Sequence, residues 1–264
     1  MFFAGIDAGS RAVKAVIIKK PGAGIIIAKA VADQRPDQKK TIERLFRKLL
    51  ADSAVKRSNI TRIVATGYGR NLVSFADTAI TEITCQAAGV HHLMPSAKTI
   101  IDIGGQDTKV IFLDPGGRVR DFAANDRCAA GTGRFLELLA DRLKVPVGSL
   151  GKLAKKSRRA VLINNTCAVF AETEIIGLLA AGISRYDIAA GVQKSIAERV
   201  AALTVRDAEP PLCFTGGVAV IPRMGHALAI ALGRKVVIAP QPQFTCALGA
   251  AILAGRQSAG GAGC

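Results

Sequence analysis

The sequence predicts an α/β protein of two lobes with a cleft between them. Two observations carry that expectation. A run of three short strands, then helix, strand and helix, is followed after Pro95 by a second run of three strands with its own helices. In each half an aspartate closes the first strand and a glycine turn follows, as Asp7-Ala-Gly-Ser and as Asp102-Ile-Gly-Gly. The duplication is one of organisation, not of sequence identity.

Residues 2–7, 12–19 and 24–32 are β-branched or aliphatic runs separated by Gly9-Ser10 and Pro21-Gly22, so they read as an antiparallel meander. Between Asp37 and Lys56 the apolar residues Ile42, Leu45, Phe46, Leu49 and Leu50 recur at helical spacing. A strand at 60–66 and a helix at 82–93 complete the first half. The second opens with strands at 99–103, 109–113 and 118–122, turning at Gly104-Gly105 and at Pro115-Gly116-Gly117. Helices follow at about 134–142, 171–181 and 187–204. A strand at 212–215, a helix, a strand at 235–238 and a closing helix at 246–254 end the pattern, and the tail SAGGAGC reads as disordered. The expected division is residues 1–94 plus 246–264 for one lobe and 95–245 for the other.

Composition excludes several classes. Of the 264 residues 50% are apolar, enough for a buried core and too many for intrinsic disorder. The longest apolar stretches, such as Gly177 to Ile183, fall far short of the roughly 20 residues a bilayer requires. The start MFFAGIDAGSR has no basic leader region and Asp7 interrupts its apolar run, so no signal peptide is expected and the expected location is cytoplasmic. The formal net charge is +16, densest at Lys152, Lys155, Lys156, Arg158 and Arg159. With no Trp and two Tyr, base-stacking surfaces are missing, which argues against nucleic acid. A solvated basic face and an acidic protein partner remain open.

The two Asp-Gly hairpins carry the chemistry. A glycine turn between strands lets backbone N–H groups approach phosphate oxygens. Ser10 adds a hydroxyl, and Lys14 lies within reach of the same region. Asp7 and Asp102, at the strand ends, are placed to hold Mg²⁺ through water. Gln106 and Asp107 add an amide and a carboxylate able to orient water toward a γ-phosphate. Thr215-Gly216-Gly217 ends a strand and is expected to open a helix, its glycines letting a base and ribose lie against backbone. Matching hairpins facing each other would grip a triphosphate; either alone would be an ordinary turn.

Cys128 and Cys167 each precede an expected helix, where the helix terminus favours a thiolate. On spacing they are either small core cysteines or half of a four-cysteine iron–sulfur site that a symmetric dimer would complete. Cys85, Cys213 and Cys246 occupy apolar positions, Cys264 is tail, and His91, His92 and His226 show no ligand spacing.

The blocks GIDAGSRAVKAVI, ATGYGR, DIGGQDTKVI, NDRCAAGTGRFLE, NNTCAVFAETEII, FTGGVA and CALGAA, in that order over about residues 4–254, closely resemble the iron–sulfur ATPases that activate 2-hydroxyacyl-CoA dehydratases. The ATPase subunits of benzoyl-CoA reductase belong to the same family. The resemblance implies an actin/sugar-kinase-like (ribonuclease-H-like) ATPase fold with an interlobe nucleotide cleft. It further implies ATP with Mg, and one [4Fe-4S] cluster per dimer held by Cys128 and Cys167 of each copy. The phosphate hairpins fall on Asp7, Gly9, Ser10 and on Asp102, Gly104, Gly105, Gln106, and the nucleotide turn on Gly216 and Gly217. Gly131 and Gly133 of the NDRCAAGTGRFLE block are counted with the nucleotide-binding residues.

By this resemblance the protein is an anaerobic ATP-hydrolysing electron-transfer protein serving an acyl-CoA dehydratase or an aryl-CoA reductase. Its expected partners are a second copy or a paralogous ATPase subunit, and a reduced ferredoxin or flavodoxin as electron source. The sequence departs from the family at Cys246, where Gly is frequent, and at Val220-Ile-Pro-Arg-Met224, which lacks a frequent Asn-Gly. The alternative is a carbohydrate kinase of the same fold without a cluster.

Overall fold

The computed structural model describes residues 1–19, 25–125, 129–163, 167–204 and 208–257. They divide into two compact units: residues 1–96 with 113–119 and 239–264, and residues 97–112 with 120–238.

Unit 1 is a five-stranded sheet with helices on both faces. Strands β1 (Phe2–Ala8), β2 (Ala12–Lys19) and β3 (Ile25–Asp33) form the antiparallel meander, and β4 (Ile60–Thr66) pairs parallel to β1. A two-residue strand β5 (Thr78–Ala79) extends the order to β3-β2-β1-β4-β5. Helix α1 (Gln38–Ser53) starts at Asp37, whose side chain accepts the Lys40 N–H, so one of the otherwise unsatisfied first-turn donors is bonded. That bond, with the Lys40 ammonium, holds the Asp37 carboxyl below the usual range. The helix presses Ile42, Leu45, Phe46 and Leu49 onto Ile6, Val13 and Ile17. On the opposite face, α2 (Glu82–Leu93) and α8 (Thr245–Gln257) bury Cys85, Ala247, Leu248 and Ala251 against Phe3, Val16 and Val64. The alternation along β2 thus feeds two cores. The two helices approach so closely that a Cβ on Gly249 would stand 1.7 Å from the Cys85 carbonyl oxygen.

Unit 2 carries β6 (Thr99–Ile103), β7 (Thr108–Leu113), β8 (Val119–Asn125), β9 (Leu212–Thr215) and β10 (Val236–Ile238), in the order β10-β9-β6-β7-β8. Its helices are α3 (Gly133–Arg142), α4 (Leu150–Ala154), α5 (Ala168–Ala180), α6 (Arg185–Thr204) and α7 (Met224–Leu232). Fully buried Phe135, Leu136, Leu139, Ile188, Val192, Ile196 and Phe214 form its core. No helix among the described residues is long and apolar enough to cross a membrane.

One expectation changes, and one element is new. The segment after Gly216 makes a single 3-10 turn (Gly217–Val220), not an α-helix; the chain passes through Pro222 and a left-handed Arg223 at φ 70° before α7 begins. Helix α4, within the basic stretch, is an addition of the structure. The Pro21-Gly22 turn and the tail from 258 lie outside the described residues.

Candidate nucleotide and cluster sites

The first hairpin is set by register. Asp7 of β1 stands opposite Lys14 of β2, and Lys14 Nζ lies 3.1 Å from Asp7 Oδ2 with both side chains largely buried. In a low-dielectric setting such a pair is held together strongly and needs both members. Lys14 therefore balances the Asp7 charge. The turn between the strands is braced from two sides: the Gln34 amide donates to the Gly9 carbonyl at 3.3 Å, and Gly69 N donates to the Ala8 carbonyl at 2.8 Å. A Cβ on Gly9 would lie 2.8 Å from the Ala12 carbonyl and 3.0 Å from Lys14 Nζ, so the tight turn requires glycine.

The second hairpin repeats the register, Asp102 of β6 opposite Lys109 of β7. Here the lysine ion-pairs with Asp107. The half-buried Asp102 carboxylate accepts the Thr215 hydroxyl at 3.3 Å, which brings the end of β9 to the hairpin. Gly104 N closes the turn onto the Asp107 carbonyl at 2.9 Å, and Gln106 projects into solvent at its tip. The first turn of α3 docks on the same loop: Gly133 N donates to Gly104 O at 2.9 Å and Arg134 N to Gly105 O at 2.8 Å. A Cβ on Gly133 would come within 3.0 Å of Gly104 O, and Gly131 O accepts the Thr108 hydroxyl at 2.7 Å. Gly131 and Gly133 thus act as braces of the hairpin. Over Gly217 the space where a Cβ would stand is open.

Unit 2 therefore gathers Asp102, Gly104, Gly105, Gln106, Asp107, Gly133 and Gly216 at one end of its sheet. Unit 1 gathers Asp7, Gly9, Ser10 and Lys14 at the corresponding end of its own. Sequence reasoning passed over Gln34 and the Gly67–Gly69 turn. Their signal was available, since ATGYGR places a Thr-Gly after a strand as FTGGVA does.

The cysteines separate by environment. Cys85 and Cys213 are buried, and desolvation pushes each thiol up to about 12. Cys246 is half-buried beside the Thr66 hydroxyl, their atoms 4.0 Å apart. Cys167 is exposed and is the N-cap residue of the 13-residue α5, its own side chain making no cap hydrogen bond. Cys128 lies outside the described residues. Next to Cys167 in the chain, Val169 and Phe170 on the first turn of α5 are each about two-thirds exposed, as is Leu162. Among the described residues no three His, Cys, Asp or Glu converge as a metal site.

On the basic stretch, the Asp187 carboxylate accepts from Ser157 Oγ at 2.6 Å and from the N–H groups of Arg158 and Arg159 at 3.0 and 3.1 Å. The Ser157 hydroxyl first, then the Arg159 N–H, hold its carboxyl below the usual carboxylate range. This fixes the loop after α4, from which Lys155, Lys156, Arg158 and Arg159 project into solvent, with Lys152 exposed on α4 itself.

Comparison with known proteins adds to this geometry. The profile of the BadF/BadG/BcrA/BcrD ATPase family matches residues 4–254. The chain is 44% identical over 255 residues to the activator of lactoyl-CoA dehydratase from Anaerotignum propionicum, covering 96% of this chain and 97% of that one. It is 30% identical over 258 residues to a subunit of benzoyl-CoA reductase from Thauera aromatica, covering 94% and 91%. It superimposes on the activator of 2-hydroxyisocaproyl-CoA dehydratase from Clostridium difficile, solved with bound ADPNP, with TM-score 0.93, 39% identity and coverage of 99% and 97%. A ROK-family glucokinase from Streptomyces griseus shares the fold alone, with TM-score 0.62 at 13% identity.

Proposed function

This chain belongs to the BadF/BadG/BcrA/BcrD ATPase family, and from that premise we propose that it hydrolyses ATP to drive single electrons into a CoA-ester enzyme. The enzyme served is a 2-hydroxyacyl-CoA dehydratase or an aryl-CoA reductase. The observation that carries the reading is the convergence on the second hairpin of the N-terminus of α3, bonded to Gly104 and Gly105, and of the Thr215-Gly216 turn, bonded to Asp102. These elements come from separate parts of the chain, and the likeness to a sugar kinase is one of fold, at 13% identity.

In this reading the hairpin of each unit has the backbone N–H groups and the carboxylate that suit phosphate and magnesium. Asp102 would hold the magnesium ion through water, while Asp7, balanced by Lys14, orients the first hairpin. Lys109 keeps Asp107 turned onto the loop, and Gln106, at its tip, orients the attacking water. The docking of α3 on Gly104 and Gly105 holds the loop rigid, so its N–H groups need no reorganisation when the phosphate charge develops.

Cys167 suits a cluster ligand: an exposed sulfur at a helix N-terminus, where the dipole favours an anion. With Cys128, and with the same pair from a second copy, it would hold a [4Fe-4S] group, which takes up and releases one electron. Val169 and Phe170, next to Cys167 in the chain, supply the contact surface for that second copy. The fixed basic loop at 155–159, with Lys152 on α4, supplies the docking surface for an acidic partner.

The test is anaerobic purification followed by visible and EPR spectra, iron and sulfide analysis, and phosphate release from ATP. A colourless, iron-free protein, or one with a full cluster as a monomer, would refute the shared cluster. Cys128→Ala and Cys167→Ala are expected to remove iron and weaken dimerisation, and Cys213→Ala to leave iron unchanged. Absence of phosphate release would refute the ATPase reading.

A further inference from the structure

Both units place a threonine and a left-handed glycine beside the hairpin aspartate. In unit 1, β4 runs parallel to β1 with Thr66 level with Asp7, and the next residue, Gly67, has φ 86°. In unit 2, β9 runs parallel to β6 with Thr215 level with Asp102, and Gly216 has φ 89°. A Cβ on Gly67 would stand 2.4 Å from Asp7 Oδ1 and 2.9 Å from the Ala8 carbonyl. A Cβ on Gly216 would stand 2.5 Å from Asp102 Oδ1 and 2.4 Å from the Ile103 carbonyl oxygen. Separations under 3.0 Å are essentially never seen for a real Cβ. Backbone conformation and the atom opposite are independent demands, and both positions meet both.

Asp102 Oδ1 takes the Thr215 hydroxyl, whereas the Thr66 hydroxyl lies by the Cys246 sulfur and Asp7 takes Lys14 on its other oxygen. The glycine is the shared device. We infer that Gly67 and Gly216 are a matched pair of positioning residues, each seating one hairpin carboxylate by leaving its Oδ1 the volume a side chain would occupy. In unit 1 this gives the Gly67–Gly69 turn a role: Gly69 holds the Ala8 carbonyl and Gly67 the carboxylate one residue earlier. An alanine at 67 must push Asp7 Oδ1 outward past 3.0 Å and disturb the 3.1 Å contact with Lys14. Misplacement on the ångström scale costs on the order of 10²-fold in rate at a reacting centre.

The kinetic half of this inference rests on the ATPase reading above; the folding half does not. The experiment compares Gly67→Ala and Gly216→Ala with Gly233→Ala, a site of φ 61° with open space around it, each also built with the facing aspartate changed to alanine. Thermal unfolding is expected to show Gly67→Ala losing more than Gly233→Ala, and Asp7→Ala in the same chain restoring part of the loss. Gly216→Ala with Asp102→Ala should behave alike, while Gly233→Ala combines additively with both. In kinetics, Gly67→Ala and Gly216→Ala are expected to lower kcat about 10²-fold with a smaller change in KM for ATP, and Gly233→Ala to leave kcat unchanged. Additive losses for glycine and aspartate would overturn the inference, as would normal kcat in both glycine variants of a protein that hydrolyses ATP. A wild-type protein without ATPase activity would sink the proposed function, and the unfolding cycles would still decide this one. If Gly67→Ala is insoluble alone but soluble with Asp7→Ala, the inference is supported; insolubility of both overturns it.

Discussion

Replacing Asp102 by Asn separates architecture from chemistry at the second hairpin. Asparagine keeps the shape, and its carbonyl still accepts the Thr215 hydroxyl that now meets Oδ1 at 3.3 Å. The turn below it, closed by Gly104 N on the Asp107 carbonyl, does not involve the side chain. Weakening the charge assistance of that hydrogen bond costs about 1 kcal/mol, or roughly 2–4 °C in Tm for a chain of this size. The functional loss is the negative charge offered to a bound metal, worth several kcal/mol where charge develops on a transferring phosphoryl group. Since each 1.36 kcal/mol is a factor of ten, turnover is expected to fall about 10²–10³-fold while the fold stays intact. Phosphate release against Mg·ATP concentration, with circular dichroism melts on the same sample, measures both. Near-normal turnover with an intact fold would refute the assignment of Asp102, and a large drop in Tm would show that its role is structural.

At the tip of that hairpin, Gln106→Ala is expected to bind ATP normally and hydrolyse it slowly; equilibrium binding beside single-turnover phosphate release checks this, and equal loss in both would contradict a role in orienting water. The buried thiols predict alkaline behaviour. Cys85 and Cys213 have their pKa raised from 9.0 to about 12, so unfolded thiols ionise first as pH rises. Their contribution is complete below pH 9 and is lost between about 9 and 12, and a denaturation midpoint measured across that range should fall, less so in Cys213→Ala. The same burial should leave both unlabelled by iodoacetamide at neutral pH while exposed Cys167 of the cluster-free protein reacts, as mass spectrometry would show. Finally, steering by the basic loop predicts that the rate of partner reduction declines as salt shortens the Debye length from about 10 Å at 0.1 M; a flat response, or no change in Lys155→Glu, would dismiss that surface as the docking site.

Much of this protein was determined by sequence alone. Strand β4, helix α2 and strand β9 fall where the apolar periodicity put them, because each pattern meets a local stop: Thr81 caps α2 on the Thr84 N–H, and glycine follows both Thr66 and Thr215. The hairpins, with their Asp-Gly ends, were legible for the same reason, since two-residue alternation and a glycine turn are local properties. Three things were not. The two-residue β5 exists only because β4 offers it a partner, and no pattern of two residues announces that. The segment after Gly216 looked like a helix start, but Arg223 in a left-handed conformation delays the helix to Met224. Above all, the docking of Gly133 on Gly104 and of Gly67 on Asp7 joins residues far apart in the chain, through carbonyls and carboxylates whose positions no local periodicity encodes. Local residue chemistry sufficed for the elements and their ends. Where the carboxylates point was decided by the close approach of backbones, which exists only once both sheets are assembled.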